Sequence, residues 1–290
     1  MPVALVENAP AKVNLTLRVL ARRADGYHEI SSLVAFADFA DRLTFTPGGV
    51  LTLSVGGPRA AQAGSDADNL VLKASRALTA RMPDVILGAF YLEKNLPAAA
   101  GIGGGSSDAA AALRLLARAN NLSADDPRLY DAARSTGADV PVCLDPRPRL
   151  MWGVGEKLSP PLALPPLAAV LVNPGVAVAT KDVFAGWTPA AKAAPPFDFA
   201  AVEKTQDWEI FLQSLARETN DLEAAAIKLA PAIAQVIGAL RALTGCRLAR
   251  MSGSGATCFG IFDTAAAARN AAAALNVKYP QWWIRAATLG

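Results

Sequence analysis

The part of this chain that best suggests chemistry is a glycine-rich run joined directly to an alanine-rich segment. Residues 97–110 read PAAAGIGGGSSDAA, with four glycines in the five positions from Gly101 to Gly105. Glycine has no Cβ to keep a ligand away from the backbone, and it permits a positive φ. A helix start presents unpaired N–H groups and the positive end of its dipole. This glycine loop (residues 97–105) therefore predicts an anion site, with phosphate as the expected ligand.

A glycine cluster is also typical of a tight turn, and this one matches neither common nucleotide-binding pattern. The chain has no Gly-x-x-x-x-Gly-Lys-Ser/Thr sequence, which excludes a Walker A loop. A dinucleotide-binding loop follows the first strand of a βαβ unit and has an acidic residue about twenty positions on. Here the loop lies near residue 100, and turn residues follow its helix. The motif alone leaves both readings open.

Composition limits the classes of function. The chain has 290 residues, of which 52% are hydrophobic and 18% charged, so we expect a packed core of two domains. A net charge of +3 without basic runs argues against a nucleic-acid partner. Prolines and charges interrupt every apolar stretch, and the N-terminus does not resemble a secretion signal. We expect a cytoplasmic protein with no membrane partner, as a monomer or weak homodimer.

Cysteine and histidine usage excludes several kinds of site. The three cysteines are widely spaced and lack the CxxC spacing of a zinc site or the even number of a disulfide framework, so we expect buried free thiols. His28 is the only histidine. A cluster of histidine metal ligands is therefore excluded, and a Ser–His–Asp triad would have to use this one residue.

The elements that must position the loop alternate between strands and helices. Apolar alternation predicts one strand over residues 11–20, with Lys12 and Asn14 on its polar face. Residues 106–119 are predicted to form a helix with serine at its start. Other strands are predicted at 30–37, 42–46, 51–55, 86–92, 167–172, 248–251, 257–262 and 282–287, and helices at 69–82, 182–187, 220–229, 231–244 and 265–275. Thr188 to Pro196 is predicted to be a mobile loop.

The order of these elements predicts an α+β fold. Prolines recur between residues 141 and 166 and mark a domain seam. We place the boundary there, with an N-terminal domain over residues 1–155 that carries the glycine loop and a C-terminal, substrate-side domain over residues 156–290.

Five segments spread over residues 10–256 share one explanation: PAKVNLTL, RRADGYHE, GIGGGSSDAA, GADVP and MSGSGA. Together they resemble the superfamily of galactokinase, homoserine kinase, mevalonate kinase and phosphomevalonate kinase. Within it, the chain is most similar to the family that phosphorylates 4-diphosphocytidyl-2-C-methyl-D-erythritol. The resemblance implies an N-terminal domain like the second domain of ribosomal protein S5 and a ferredoxin-like C-terminal domain. It also implies transfer of the ATP γ-phosphoryl group to the substrate's 2-hydroxyl in the non-mevalonate isoprenoid pathway.

The resemblance implies a catalytic pair, with Asp139 of GADVP as base and Lys12 of PAKVN as its partner. A nearby cation keeps a carboxylate ionised and neutralises charge on the moving phosphoryl group. From the sequence alone, Asp139 also fits a turn or helix-capping aspartate before a proline, and Lys12 a solvated lysine. Because phosphoryl transfer has a loose transition state, positioning competes with proton removal as the main contribution of Asp139.

The remaining implied site residues fall into three groups. For ATP they are Pro97, Gly101, Gly103, Gly104, Gly105, Ser106 and Ser107, with Asn69 and Lys94 near adenosine. For the substrate they are Asn14, Tyr27, His28, Thr180 and Phe184, where Tyr27 and Phe184 sandwich the cytosine and His28 bonds its edge. We expect Mg²⁺, with Ser106, Ser107 and Asp108 as candidate ligands.

Two other functions stay open at this point. One is a superfamily kinase that acts on a small alcohol such as homoserine or mevalonate, against which the ADGYH segment argues. The other is a catalytically silent binding or regulatory protein, or a phosphate-binding protein that is not a kinase. The presence of Lys12, Asp139 and the full glycine loop argues against this second class.

Overall fold

The computed structural model describes residues 3–64, 69–189 and 207–290. Its contacts divide the chain into two compact units that interleave in sequence. The first unit comprises Met1–Lys12, Phe39–Ala98 and Gly103–Pro146, and the second comprises Val13–Asp38, Ala99–Ile102 and Arg147–Gly290. Within the described ranges, every helix is too short or too polar to span a bilayer.

The described residues form strands and helices in a mixed order. The strands are β1 (Leu5–Asn14), β2 (Arg18–Arg22), β3 (His28–Pro47), β4 (Thr52–Gly56), β5 (Gly88–Glu93), β6 (Arg149–Gly153), β7 (Lys157–Leu158), β8 (Leu167–Asn173), β9 (Cys246–Met251), β10 (Cys258–Phe262) and β11 (Trp283–Leu289). The helices are α1 (Leu70–Thr79), α2 (Gly104–Ala119), α3 (Pro127–Thr136), α4 (Val140–Cys143), α5 (Thr180–Ala185), α6 (Trp208–Arg217), α7 (Glu223–Leu229), α8 (Ala232–Arg241) and α9 (Ala265–Lys278). A 3₁₀ turn covers Ala60–Gln62.

The first unit contains a short sheet and a group of helices with α2 at its centre. Strand β5 pairs in parallel with β4 and antiparallel with the second half of β3, where Arg42 lies opposite Glu93. Helices α1, α3 and α4 all contact α2. The α2 sequence is alanine-rich, and residues 107–113 are buried. Small side chains let neighbouring helices approach closely, so α2 can be the central helix of the unit.

In the second unit, an antiparallel sheet has the order β3-β11-β8-β10-β9. Strand β8 is paired on both sides, with Val172 opposite Ile284 of β11 and Cys258 of β10. Helix α9 packs on β11 and β8, and α8 packs on β9 and β10. The core of this unit lies between these helices and the sheet. The first half of β3 also pairs with β2 and β6.

The predicted α+β class is confirmed, and several predicted boundaries were wrong. The strand predicted over residues 11–20 is two strands, because the chain turns at residues 15–17 and pairs locally with Leu33. The two strands predicted at 30–37 and 42–46 are one, β3. Strands β6 and β7 lie within the proline-rich stretch and were not predicted, and neither was α6. Of the mobile loop predicted over residues 188–196, the part from residue 190 onward lies outside the described residues. The domain boundary at 155–156 stays a prediction.

Candidate functional site

Helix α2 begins at a glycine in the left-handed conformation. Gly103 caps the helix with φ +61°, so α2 starts at Gly104, and the predicted serine cap was wrong. A Cβ on Gly103 would lie 3.2 Å from Cβ of Lys12, so glycine lets the loop rest on the lysine stem. The Ser107 N–H donates to the Gly103 carbonyl at 2.8 Å, which closes the first helical turn. By helix geometry, the N–H groups of the residues before Ser107 are left for an anion.

Lys12 and Asp139 form an ion pair in the first unit. Nζ of Lys12 lies 2.8 Å from Oδ2 of Asp139. The lysine side chain is only 3% exposed, whereas the aspartate is 38% exposed. Asp139 immediately precedes α4, yet its carboxylate turns to Lys12 instead of capping that helix. The pair therefore combines a buried cation with a carboxylate that a second molecule can reach, as general-base chemistry requires.

The three candidate metal ligands in the first turns of α2 differ in environment. Ser106 is half-buried, while Ser107 and Asp108 are buried. The Ser107 hydroxyl donates to the Pro10 carbonyl at 2.7 Å, which ties α2 to β1. Asp108 accepts from the Lys94 ammonium at 2.7 Å. Burial raises the pKa of Asp108 to about 7, against the lowering effect of Lys94. Of the three, Ser106 is the most accessible to a ligand.

The residues expected near adenosine have local structural partners. The Asn69 side chain accepts from the Val71 N–H at 2.9 Å and so caps α1. Lys94 is buried, and its ammonium bonds to Asp41 as well as to Asp108. Pro97 is also buried. Whether these residues contact adenosine stays a prediction.

Gly101 lies in the second unit, against the turn of the MSGSGA segment. Its φ is +74°, and a Cβ there would lie 2.5 Å from the Ser252 carbonyl oxygen. The Ser252 hydroxyl donates to the Gly101 carbonyl at 2.9 Å. Only glycine satisfies both the close approach and the positive φ. Gly101 and the turn of the MSGSGA segment are therefore packed directly against each other.

An aromatic cluster in the second unit includes His28 and Phe184. The two rings are 4.8 Å apart between centroids and 30° from parallel. Trp187 lies edge-on to His28, with centroids 5.7 Å apart. Burial, with a further contribution from the positive charge of Arg22, holds the pKa of His28 below its usual 6.5. A neutral imidazole has one donor and one acceptor nitrogen, which suits the edge of a nucleobase.

Tyr27 lies at the exposed end of the hairpin between β2 and β3. Its side chain is 61% exposed. The turn that presents it is closed by a bond from the Arg23 N–H to the Tyr27 carbonyl at 2.7 Å, and Gly26 adopts φ +86°. The Asp25 carboxylate accepts the Tyr27 N–H at 3.1 Å. The turn at Asp25 and Gly26 thus exposes a large aromatic ring that is available for stacking.

The other substrate candidates bond to serines. Asn14 is buried, its amide donates to the Ser32 hydroxyl at 2.8 Å, and its N–H donates to Ser252 at 3.0 Å. Thr180, at the start of α5, shares a 2.8 Å hydrogen bond with Ser254. The glycine turn between β9 and β10 thus contacts two predicted substrate residues.

The structure groups the predicted residues by unit. It brings Lys12, Asp139, Gly103 and Ser107 together in the first unit. It brings His28 together with Phe184, and Asn14 and Thr180 together with the MSGSGA turn, in the second. Sequence reasoning missed Trp187, Asp41 and Ser32. Only Trp187 had a usable signal, three positions after Phe184 on the same predicted helix.

Comparisons with known proteins place these residues in a family. A model of the N-terminal domain of GHMP kinases matches residues 69–145, and a model of the C-terminal domain matches residues 199–281. A 4-diphosphocytidyl-2-C-methyl-D-erythritol kinase of Rhodopseudomonas palustris is 57% identical, over 98% of this chain and 97% of that protein. A kinase of the same name from Bradyrhizobium diazoefficiens is 55% identical, over 99% of this chain and 98% of its own.

Solved structures show the same relationship. A crystal structure of 4-(cytidine 5'-diphospho)-2C-methyl-D-erythritol kinase matches with a TM-score of 0.80 and 38% identity, over 99% of both chains. Homoserine kinase from Cytophaga hutchinsonii matches with a TM-score of 0.73 over 100% of this chain and 96% of its own. At 18% identity, this second likeness concerns the fold alone.

Proposed function

The chain belongs to the GHMP kinase family, and on this premise we propose that it transfers the γ-phosphoryl group of ATP to the 2-hydroxyl of 4-diphosphocytidyl-2-C-methyl-D-erythritol. The products are ADP and the 2-phosphate of the substrate, within the non-mevalonate route to isoprenoid precursors. The observation that carries this proposal is the 57% identity over nearly the whole chain to a kinase of that name. The enzyme is an ATP-dependent kinase for a small molecule.

ATP phosphates are bound at the glycine-capped start of α2. The N–H groups of Gly104, Gly105 and Ser106 point out of the helix start, where the dipole is positive. The stem of the buried Lys12 side chain packs against Gly103, and the side chain adds its positive charge to this site. Since phosphoryl transfer has a loose transition state, aligning and neutralising the phosphates accounts for most of the acceleration.

Asp139 receives the proton of the attacking hydroxyl. The bond between the 2-hydroxyl oxygen and the γ-phosphorus forms as the bond from phosphorus to the ADP oxygen breaks, and the proton passes to the carboxylate. Lys12 lies 2.8 Å from that carboxylate, and its positive charge stabilises the negative charge on the transferring group. A carboxylate that is 38% exposed can reach a substrate hydroxyl, as a base must.

Mg²⁺ fits this arrangement as an ion that is bound together with ATP, rather than as a metal that the protein alone coordinates. Among the residues that the structure describes, no group of three or more metal-binding side chains occurs. Mg²⁺ prefers oxygen and usually keeps phosphates and waters as most of its ligands. We assign the protein's share to the half-buried Ser106 hydroxyl, because Asp108 is buried against Lys94. When bound, the ion neutralises charge between the β- and γ-phosphates.

The cytidine end of the substrate is recognised by the aromatic residues of the second unit. Tyr27 stacks on the cytosine ring, with Phe184 on the opposite face. The neutral His28 imidazole hydrogen-bonds the cytosine edge, and its contacts with Phe184 and Trp187 hold the ring in place. Asn14 and Thr180 supply polar contacts to the rest of the substrate. Their bonds to Ser32 and Ser254 orient these two side chains.

The decisive experiment is an ADP-release assay coupled to a visible readout. Purified protein with ATP and Mg²⁺ is offered 4-diphosphocytidyl-2-C-methyl-D-erythritol, homoserine or mevalonate in parallel. We expect ADP release with the cytidyl substrate alone, and a phosphate on its 2-position by NMR. Release with a small alcohol instead would assign another superfamily activity. No release with any acceptor would favour a silent binding protein on this fold.

We also propose a cytoplasmic location. Cys143 and Cys258 are buried free thiols, and burial raises the pKa of Cys143 to about 12. Such thiols are inert and suit a reducing compartment. Localisation of a tagged, active enzyme by fractionation tests this part of the proposal.

A further inference from the structure

Three charged side chains form a buried cluster in the first unit, apart from the pair of Lys12 and Asp139. The Lys94 ammonium donates to Asp108 at 2.7 Å and also to Asp41. Lys94 and Asp108 are each 3% exposed, and Asp41 is fully buried. Taking three ionisable groups out of water costs several kcal/mol per ion, so a buried ion cluster is weak evidence for stability. Its position points to another role.

The cluster holds both ends of the glycine loop. Where the chain leaves β5, Oδ1 of Asp41 accepts the N–H groups of Asn95 at 2.5 Å and Leu96 at 2.8 Å. Where α2 begins, Lys94 bonds to Asp108, which lies one turn after Gly104. Asp41 and Asp108 are therefore linked through one ammonium group.

The ammonium also packs directly under the first residue of α2. A Cβ on Gly104 would lie 3.4 Å from Nζ of Lys94. The Lys94 ammonium therefore lies between two buried carboxylates and the start of α2.

We propose that Asp41, Lys94 and Asp108 are positioning residues that set the first turn of α2 for the triphosphate of ATP. The inference rests on the proposed function, since it takes this helix start to be the phosphate site. Lys94 acts through Asp108 and Asp41 and does not itself touch the phosphates. Asparagine at position 108 keeps the link from Lys94 to α2, because its side-chain carbonyl accepts from the ammonium as the carboxylate does.

Two near-isosteric variants test the proposal. Asp108→Leu removes the hydrogen bond that Lys94 donates to the side chain, whereas Asp108→Asn keeps an acceptor for it. We expect Asp108→Leu to raise KM for ATP by about tenfold or more, with a smaller change in kcat. The reason is that a displacement of the binding groups by about 1 Å is enough to lower activity by up to about 100-fold. We expect Asp108→Asn to restore KM to within about threefold of wild type, below about 0.7 kcal/mol.

A matched control separates positioning from loss of stability. Ser75 is buried in α1 of the same unit and bonds only along its own helix, to the Val71 carbonyl at 2.8 Å. Ser75→Ala should lower the thermal midpoint and leave KM for ATP unchanged. Folded Asp108→Leu protein with the KM of wild type would overturn the proposal, as would failure of Asp108→Asn to restore KM.

Binding of inorganic triphosphate by calorimetry distinguishes positioning from an adenosine contact. Lys94→Met should weaken binding of triphosphate and of ATP in parallel if the cluster sets the helix start. Weakened ATP binding with unchanged triphosphate binding would instead assign Lys94 to adenosine and overturn the proposal. The calorimetric measurement needs no acceptor substrate, so it tests the positioning role independently of the phosphorylation reaction. If wild type releases no ADP with the cytidyl substrate, only the proposed function fails.

Discussion

Lys12 and Asp139 lie 2.8 Å apart, and only the carboxylate is open to solvent. The lysine is placed there by β1 and the aspartate by the turn before α4. The Lys12 side chain is buried and its stem packs against Gly103, so its charge lies in a setting of low dielectric, where an ion attracts an opposite charge more strongly than in water. Although it is paired with this cation, the Asp139 carboxylate is exposed and can be reached by a hydroxyl group.

Removing either member of this pair should lower turnover strongly, with a much smaller loss of nucleotide binding. We expect Asp139→Asn to lower kcat by about 10² to 10⁴, the usual worth of general-base catalysis. We expect Lys12→Ala to lower kcat by about 10² to 10³, the loss seen when an electrostatic contact to the transition state is removed. Single-turnover kinetics and ATP binding by calorimetry check this. Asp131→Asn, an exposed carboxylate on α3, is the control, and near-normal activity in Asp139→Asn or Lys12→Ala would refute the assignment.

The cytidyl substrate should bind more weakly in acid. The pKa of His28 is below its usual 6.5, so the neutral ring is present at and above that pH and is lost as the pH falls further. The protonated ring has no acceptor nitrogen. We expect KM for the cytidyl substrate to be flat above pH 6.5 and to rise below it. His28→Gln, which does not titrate, should give a flat profile; a wild-type slope in that variant would argue against His28 as the titrating group.

Trp187 should affect the cytidyl substrate although it was not among the predicted residues. Its edge contact holds the His28 ring at a centroid distance of 5.7 Å. Loss of such a contact is worth about 0.5–1.5 kcal/mol, so Trp187→Ala should raise KM for the cytidyl substrate by roughly two- to tenfold and leave KM for ATP unchanged. Trp152→Ala, on an exposed position of β6, serves as the control. Equal effects from the two variants would exclude a specific role for Trp187.

Gly101 should tolerate no side chain. A Cβ there meets the Ser252 carbonyl at 2.5 Å, and φ of +74° adds about 1–2 kcal/mol of strain for alanine. We expect Gly101→Ala to lower the free energy of unfolding by about 2 kcal/mol or more. Gly238→Ala is the matched control, because Gly238 lies inside α8 with open space around it and alanine favours a helix by about 0.5–1 kcal/mol. Urea unfolding of both variants gives the comparison, and equal midpoints would contradict the expectation.

The free energy of unfolding should depend on pH through the protonation of Asp108. Its pKa rises from 3.8 to about 7 on folding, so the folded state binds the proton more tightly than the unfolded chain. Linkage then requires this stabilising contribution to be complete below pH 4 and to be lost as the pH rises to about 7. Asp108→Asn removes this dependence. Wild type should therefore lose stability relative to Asp108→Asn between about pH 4 and pH 7, measured by urea unfolding; parallel curves would exclude a raised pKa.

The local elements around Lys12 and the glycine loop could be predicted from the sequence, because their signals lie within a few residues. The strand alternation near Lys12 and the length of α2 follow from hydrophobic periodicity, and most predicted ends fall within a few residues of those observed. The start of α2 was misplaced, since a left-handed cap at Gly103 competes with the serines and its backbone conformation cannot be read from composition. Strands β6 and β7 were missed because recurring prolines predict irregular chain.

Three things were determined by the sequence itself: an α+β chain, a glycine-rich helix start suited to phosphate, and the motif set that resembles one kinase family. Only the tertiary structure decided which charges meet. Lys12 and Asp139 are far apart in sequence, as are Asp41 and Lys94, and His28 and Phe184, yet each pair is in contact. Local propensity carries no information about such long-range partners. Burial of α2 and of the antiparallel sheet that contains β8 determines which side chains meet. A buried charged group must be paired, and it can pair only with the groups that packing brings next to it.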